Sequence, residues 1–349
     1  MTTSREPTVA DLGEQALIER IRSRAPAAPP WLGVGLGDDA AVVEPERNRA
    51  EVMTTDALVE GVHFDRAYVP AAAIGHKALA VNLSDLAAMG AEPRAALLSL
   101  VLPDAMAAAE FDALLDGWFA LAGRYGVTLI GGNISRSPGP LVVDVTAIGT
   151  VKRRQALTRS GARPGDGLYV SGSVGAACAG RLARLRAAAG APASDDAAGG
   201  EPEGLDACEA RFLRPEPRVR LGVLLGRNRV ASACVDLSDG LGDGVRQIAA
   251  ASGVGAEIDG DALPVPPAAR RWFEVRERVG AIDAAISGGE DYELLFTVPA
   301  RRQRALAAVL KLADGLACTR IGKVTADRRL SLARGAAKGP LPGGFAHFR

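Results

Sequence analysis

Five short polar motifs constrain this chain more than any other feature. They read Gly37-Asp38-Asp39, Thr54-Thr55-Asp56, Asn82-Leu83-Ser84-Asp85, Asp236-Leu237-Ser238-Asp239 and Ser287-Gly288-Gly289-Glu290-Asp291. Each carries an acid, and most end an apolar run, where α/β enzymes place their chemistry. Acids gathered at one place repel each other strongly unless cations lie between them. Carboxylate and hydroxyl oxygens are hard ligands that suit Mg2+, and Mg2+ held this way usually also holds substrate phosphates. The pattern points to metal-dependent phosphate chemistry.

Composition narrows the partners. The chain has 349 residues, enough for two domains or one large one, and 48% of them are apolar, which allows a sizeable core. The 41 Lys and Arg balance the 41 Asp and Glu, with no basic tail or stripe, which argues against nucleic acid. The four cysteines lie far apart without a Cys-x-x-Cys, so buried thiols are expected rather than a zinc site or disulfide framework. Met1 to Glu14 lack the apolar stretch of a signal peptide, and no run reaches the about 18 apolar residues of a membrane span. A soluble cytoplasmic protein with no membrane partner is the expectation.

Apolar spacing predicts a helix over 11–24, buried strands over 40–43 and 51–55, and helices over 71–89 and 107–125, closed by Gly90 and Gly126. Strands are predicted over 95–102 and 141–150, and over 127–130 running into a Gly131-Gly132-Asn133 loop. A second half starts near residue 151, with a turn at 163–167. Its predicted strands are 168–170, 233–235, 256–258 and 294–298, and its helices 176–189, 206–213, 218–225, 241–251 and 301–312. Alternating strands and helices favour a mixed α/β protein with domains at 1–150 and 151–349. Residues 190–204 lack periodicity and read as a mobile surface loop. The echo between Asn82-Leu83-Ser84-Asp85 and Asp236-Leu237-Ser238-Asp239 hints that both halves offer a carboxylate to one site.

Taken singly, the motifs leave alternatives open. There is no P-loop, and Gly33-x-Gly35-x-Gly37 is not the dinucleotide fingerprint. Asp38 and Asp39 read as a strand cap or as metal ligands. Thr54-Thr55-Asp56 offers two hydroxyls and a carboxylate, a frequent Mg2+ shell in phosphoryl transfer or else a cap. His63 is a packed ring or a ligand contact, and no second His or Cys nearby suggests a transition metal. Asp85 interrupts an apolar helix, where a charge is rarely buried without a partner. The acids of 287–293 form a solvated run or a site beside the apolar Leu294-Leu295-Phe296.

The order of these motifs resembles a known family. Gly-Asp-Asp, Thr-Thr-Asp-x-Leu-Val-Glu-Gly-Val-His-Phe, Lys-Ala-Leu-Ala-Val-Asn-Leu-Ser-Asp-Leu-Ala-Ala-Met-Gly-Ala, Leu-Thr-Arg-Ser-Gly-Ala-x-Pro-Gly-Asp, Asp-Leu-Ser-Asp-Gly-Leu and Ser-Gly-Gly-Glu-Asp-Tyr-Glu-Leu stand in sequence. From about residue 35 onward the chain resembles the thiamine-monophosphate kinases, in the superfamily of aminoimidazole ribonucleotide synthetase and selenophosphate synthetase. The resemblance implies an N-terminal ATP- and Mg2+-binding domain whose strands join a partner's in a dimeric β-barrel. A C-terminal α/β domain would complete the active site. It implies ATP-dependent phosphorylation of thiamine monophosphate to thiamine diphosphate in a homodimer.

The resemblance also assigns residues. Asp39, Thr54, Thr55, Asp56, Asp85, Asp236 and Asp239 become ligands of several Mg2+ ions. Gly132, Asn133, Arg159 and Ser238 contact ATP, while His63, Glu290 and Phe345 face the thiamine phosphate. No covalent or general-base residue is implied. One position departs from the pattern: family members often carry Asp where this chain has Asn133, and an amide oxygen brings no charge to a metal. The alternatives are another ATP-using member of the superfamily and a non-catalytic nucleotide sensor. The N-terminal reactive Cys and Lys of selenophosphate synthetases do not occur before Lys77, and Asp56, Asp85 and Asp236 are all present.

Overall fold

The computed structural model describes residues 6–190 and 202–344, so Phe345 and most of the 190–204 segment lie outside the described residues. The chain divides into two compact units, Met1–Leu86 with Glu92–Val151, and Ala87–Ala91 with Lys152–Arg349. Among the described residues no helix is long and apolar enough to cross a membrane.

The first unit contains α1 (Val9–Leu12), α2 (Glu14–Arg22), β1 (Leu32–Val34), β2 (Val42–Val43), β3 (Arg49–Val59), α3 (Ala71–Ala88), β4 (Glu92–Pro103), α4 (Ala108–Tyr125), β5 (Thr128–Ser137) and β6 (Val142–Lys152). Four strands form an open sheet in the order β3-β6-β4-β5, with β4 parallel to β5 and antiparallel to β6. Strand alternation sends Leu98, Leu100, Leu102, Val143 and Val145 to the buried face. The opposite face is wetter and exposes Met53 and Leu97. Helix α3 is buried from Ala73 to Ser84, as an all-round apolar helix must be, and the half-buried Asp85 breaks this run. α3 and α4 touch through glycines. A Cβ on Gly75 would overlap the Leu114 carbonyl, and one on Gly117 the Ala72 carbonyl. Arg24 ties α2 to α4 through Asp116 at 2.7 Å and Asp112 at 3.0 Å.

The second unit contains β7 (Gly167–Ser171), α5 (Ala176–Ala188), α6 (Leu205–Leu213), α7 (Val219–Arg227), β8 (Ala233–Asp236), α8 (Leu241–Ser252), β9 (Gly255–Asp259) and α9 (Pro267–Arg271). A π-helical stretch, Trp272–Glu277, precedes α10 (Ala281–Ser287), β10 (Leu294–Val298), α11 (Gln303–Lys311), β11 (Cys318–Thr325), β12 (Leu330–Arg334) and β13 (Ala337–Pro340). The sheet order is β13-β12-β9-β11-β7-β10-β8, antiparallel except for β12 with β9. Every residue of β7, β8 and β10 is buried, so these strands are nearly continuous apolar runs. Val170, Val235, Leu295, Ile258, Phe273 and Ile286 belong to the core.

Several expectations change. The helix over 11–24 is broken at Gly13, whose φ of 75° separates α1 from α2. The segment 40–43 is not a buried strand: only Val42–Val43 pair, with β1, and Val42 is 57% exposed. Thr54-Thr55-Asp56 lies inside β3 rather than at its end. Gly131-Gly132-Asn133 is not a loop, because β5 continues through it to Ser137. Gly132 serves close strand packing, since a Cβ there would overlap the Leu98 carbonyl. The echoed tetrapeptides adopt different conformations: Asn82–Asp85 is helical, whereas Asp236 ends β8 and leads into a turn.

The glycine crossing generates a prediction. Gly117→Ala forces α3 and α4 apart and should lower stability by about 1–3 kcal/mol or more, read as a drop in thermal midpoint. An unchanged midpoint would mean the helices separate freely.

Candidate active site

In the first unit, β3 places its polar residues on two faces. Thr54 points to the α3 side, where its hydroxyl donates to Asp85 Oδ2 at 2.5 Å. Asp56, two residues along, shares that face. Thr55 points the other way and meets Asp144 Oδ1 at 3.1 Å and Thr146 Oγ1 at 3.0 Å. Ser99 on β4 is in register with both Asp144 and Asn133, so Thr55, Asp144, Ser99 and Asn133 line one face across four strands. Motif reading missed Asp144, because a lone acid in β6 shows its face only once the register is known. Asn133 is exposed, and its amide donates to Ser135 Oγ at 2.9 Å.

Asp38 and Asp39 sit exposed on a turn, where the Asp39 N–H donates to Asp38 Oδ1 at 2.9 Å. His63 is half-buried, and its Nδ1 accepts from the Val59 N–H at 3.1 Å. With Nδ1 an acceptor, the neutral ring carries its proton on Nε2, a donor suited to a phosphate oxygen.

In the second unit, the Asp236–Asp239 turn and the 287–293 loop extend the β8–β10 pairing. Leu237 N–H donates to the Glu293 carbonyl at 2.8 Å, Tyr292 N–H to the Leu237 carbonyl at 2.9 Å, and Glu290 N–H to the Ser238 carbonyl at 2.7 Å. Glycine lets the segments close up: a Cβ on Gly289 would stand 2.5 Å from the Ser238 carbonyl, and one on Gly240 2.6 Å from that of Gly288. Asp236 is buried, whereas Ser238, Asp239 and Glu290 are half-buried. The chain end approaches the same turn. Arg246 donates to the Leu341 and Pro342 carbonyls at 3.2 and 2.7 Å, and Gly344 packs against the Asp239 carbonyl. Arg159 is placed elsewhere, exposed, with its carbonyl accepting from Ser252 Oγ at the far end of α8 from Asp239. Twelve helical residues span about 18 Å.

The run of acids splits by burial. Asp291 Oδ2 accepts from the Gly175 N–H at 2.7 Å and Oδ1 from that of Ala177 at 3.2 Å, at the start of α5. Glu293 is fully buried among Arg211, Arg218 and Ser171, with Arg218 Nε at 2.6 Å and Ser171 Oγ at 2.5 Å. Burial pushes the Asp291 carboxyl up to about 7, against the lowering pull of the two N–H donors. Burial also pushes the Cys178 and Cys208 thiols up to about 11 and that of Cys318 to about 12, and raises that of Cys234. Protonated thiols of this kind are poor nucleophiles.

The donors of the expected metal site are all oxygens, which suits Mg2+ rather than a transition metal. Among the described residues no three His, Cys, Asp or Glu side chains form a metal-holding group. Two of the expected donors, Thr54 and Asp85, stand as a hydrogen-bonded pair. Such pairs fit Mg2+, which takes one or two carboxylates from protein and the rest from phosphate and water.

Asp291 generates a pH prediction. Unfolded, an aspartate titrates near about 3.9. Its folded value is raised, so its contribution to stability is fully present below the unfolded value and is lost as pH rises through about 7. Asp291→Asn does not titrate. Between about pH 6 and about pH 8 the wild type should therefore lose more stability than this variant, by on the order of 1 kcal/mol. Parallel melting profiles across that range would contradict the assignment.

Comparison with known proteins places this geometry. The AIR synthase related protein N-terminal domain matches residues 37–151, and the C-terminal domain matches residues 163–334. Thiamine-monophosphate kinase of Escherichia coli K12 is 41% identical over 315 residues, 90% of this chain and 91% of the relative. That of Rhodopirellula baltica is 33% identical over 344 residues, covering 96% and 97%. The crystal structure of thiamine-monophosphate kinase from Stenotrophomonas maltophilia K279a superposes with a TM-score of 0.77 at 42% identity, covering 92% of this chain and 96% of that one. AaThiL complexed with AMPPCP and TMP superposes with a TM-score of 0.72 at 32% identity, covering 99% and 100%. The chain belongs to the thiamine-monophosphate kinase family, built from the two AIR synthase related domains.

Proposed function

We propose that this chain transfers the γ-phosphoryl group of ATP to thiamine monophosphate, giving thiamine diphosphate by direct in-line displacement. The observation that carries the reading is the hydrogen-bonded pair of motifs at the end of β8, where Glu290 stands against the Ser238 carbonyl. A relative that binds AMPPCP and TMP supports it. The acceptor phosphate is already ionised at neutral pH, so no strong general base is needed. The barrier lies in bringing two anions together. Bound Mg2+ supplies the charge that offsets their repulsion.

The residues divide the work. Asp39, Thr54, Thr55, Asp56, Asp85, Asp236 and Asp239 hold the cations. Asp85 orients the Thr54 hydroxyl by accepting its hydrogen bond, leaving the oxygen lone pairs free to coordinate. Gly132, Asn133 and Ser238 bind ATP. His63 donates Nε2–H to the substrate phosphate. Glu290 complements the cationic thiamine, and Phe345 faces its thiazolium. Residues 1–150 act as the nucleotide and dimerisation domain, and 151–349 complete the active site. The open four-stranded sheet, with Met53 and Leu97 exposed, supports a homodimer in which two such sheets close a barrel. The enzyme works in the cytoplasm.

Incubation with ATP, Mg2+ and thiamine monophosphate should yield thiamine diphosphate, and aminoimidazole precursors should not react. Absence of thiamine diphosphate would leave another superfamily reaction or a nucleotide sensor. Asp85→Asn should cut kcat by about a hundredfold or more. Asn133→Asp should lower the Mg2+ concentration for half-maximal turnover severalfold, by about 1 kcal/mol of added charge interaction. An unchanged Mg2+ dependence would remove Asn133 from the cation site.

A further inference from the structure

We propose that Asp291 is a positioning residue, whose buried carboxylate fixes the backbone of its two neighbours and so holds Glu290 against the Leu237–Asp239 turn. The inference rests on the substrate role given to Glu290 above and deepens it.

Backbone geometry is the first support. Glu290 has φ of 71° and Tyr292 has φ of 49°, so two L-residues flanking one position occupy the left-handed region. Glycine is the usual occupant of such positions, and non-glycine residues persist there only where the surroundings over-determine them. Asp291 supplies that determination. Its two carboxylate oxygens accept from the Gly175 and Ala177 N–H groups, and its carbonyl accepts from Arg211 Nη2 at 3.3 Å. Arg211 is itself paired with the fully buried Glu293, which Arg218 and Ser171 also hold.

The anchor beneath is rigid. Gly175 has φ of 81°, and a Cβ there would stand 2.8 Å from Ala285 Cβ, so the start of α5 is closely packed. Asp291 is buried, while Glu290 beside it is half-buried, with its N–H on Ser238. Asp291 therefore points away from the surface that Glu290 presents and acts through its neighbour. Without the carboxylate, φ at Glu290 relaxes toward ordinary values and its side chain leaves the turn.

Steady-state kinetics test the proposal with Asp291→Asn, Glu290→Gln and the double variant. Asp291→Asn should raise KM for thiamine monophosphate about tenfold while KM for ATP moves less than about twofold. In the Glu290→Gln background the same change should add less than about twofold, because its route of action is already removed. Leu332→Ala, a core truncation on β12, serves as the control for destabilisation alone and should leave both KM values unchanged. Hydrogen exchange supplies a readout that needs no turnover. The 287–293 segment should exchange faster in Asp291→Asn, with the rest of the sheet protected, and unchanged in Leu332→Ala. Unchanged protection of that segment, additive kinetic effects, or equal rises in both KM values would each overturn the proposal. If the wild type makes no thiamine diphosphate, the functional reading falls and the exchange experiment alone decides the role of Asp291.

Discussion

Two carboxylates cut off from water, Asp291 and Glu293, anchor the segment between α10 and β10. A buried charge is costly unless it is paired and hydrogen-bonded. Glu293 meets this condition with two arginines and a serine, whereas the two N–H groups at the start of a helix offset only part of the cost of burying Asp291. The shared Arg211 couples them through the Asp291 carbonyl. Removing any one partner leaves a charge or donor stranded in the interior. The loop between α10 and β10 is thereby committed to one conformation before any ligand arrives, the preorganisation that electrostatic catalysis relies on.

The same logic sorts the acids by task. Those with complete sets of protein partners, such as Glu293, build the frame. Thr54 and Asp85 form a hydrogen-bonded pair in the first unit, and Asp236 and Asp239 flank a turn at a strand end in the second. Among the described residues no three His, Cys, Asp or Glu side chains close into a metal-holding group. Thr55 and Asp144 form a third grouping on the opposite face of the four-stranded sheet.

Much of this was legible in the sequence, for particular reasons. Helices α3 and α4 are long and apolar, and glycine closes α4 in the left-handed conformation, so period and stop signals agreed. The order of motifs pointed to the family because each acid stands in a distinctive local context. Period alone did not show that Thr54 and Thr55 face opposite ways to different partners, since that needs the register of β3 against β6. It misread Gly131-Gly132-Asn133 as a loop, because glycine in a strand signals close backbone approach as readily as a turn. The acids of 287–293 gave no sign of which were buried. The following Leu294-Leu295-Phe296 was the available clue, and it concerned the neighbours rather than Asp291 itself. Strands β11 to β13 were not anticipated, as their half-exposed, charge-bearing faces carry little apolar pattern.

The central claim is the proposal that the motif acids Asp85 and Asp236 each help to bind nucleotide with Mg2+. The most direct measurement is the thermal shift produced by Mg2+ with AMPPCP in the wild type, Asp85→Asn and Asp236→Asn. The account predicts a shift of several degrees in the wild type that is lost in both variants, since a ligand stabilises only what it binds. A full shift retained in either variant would contradict it.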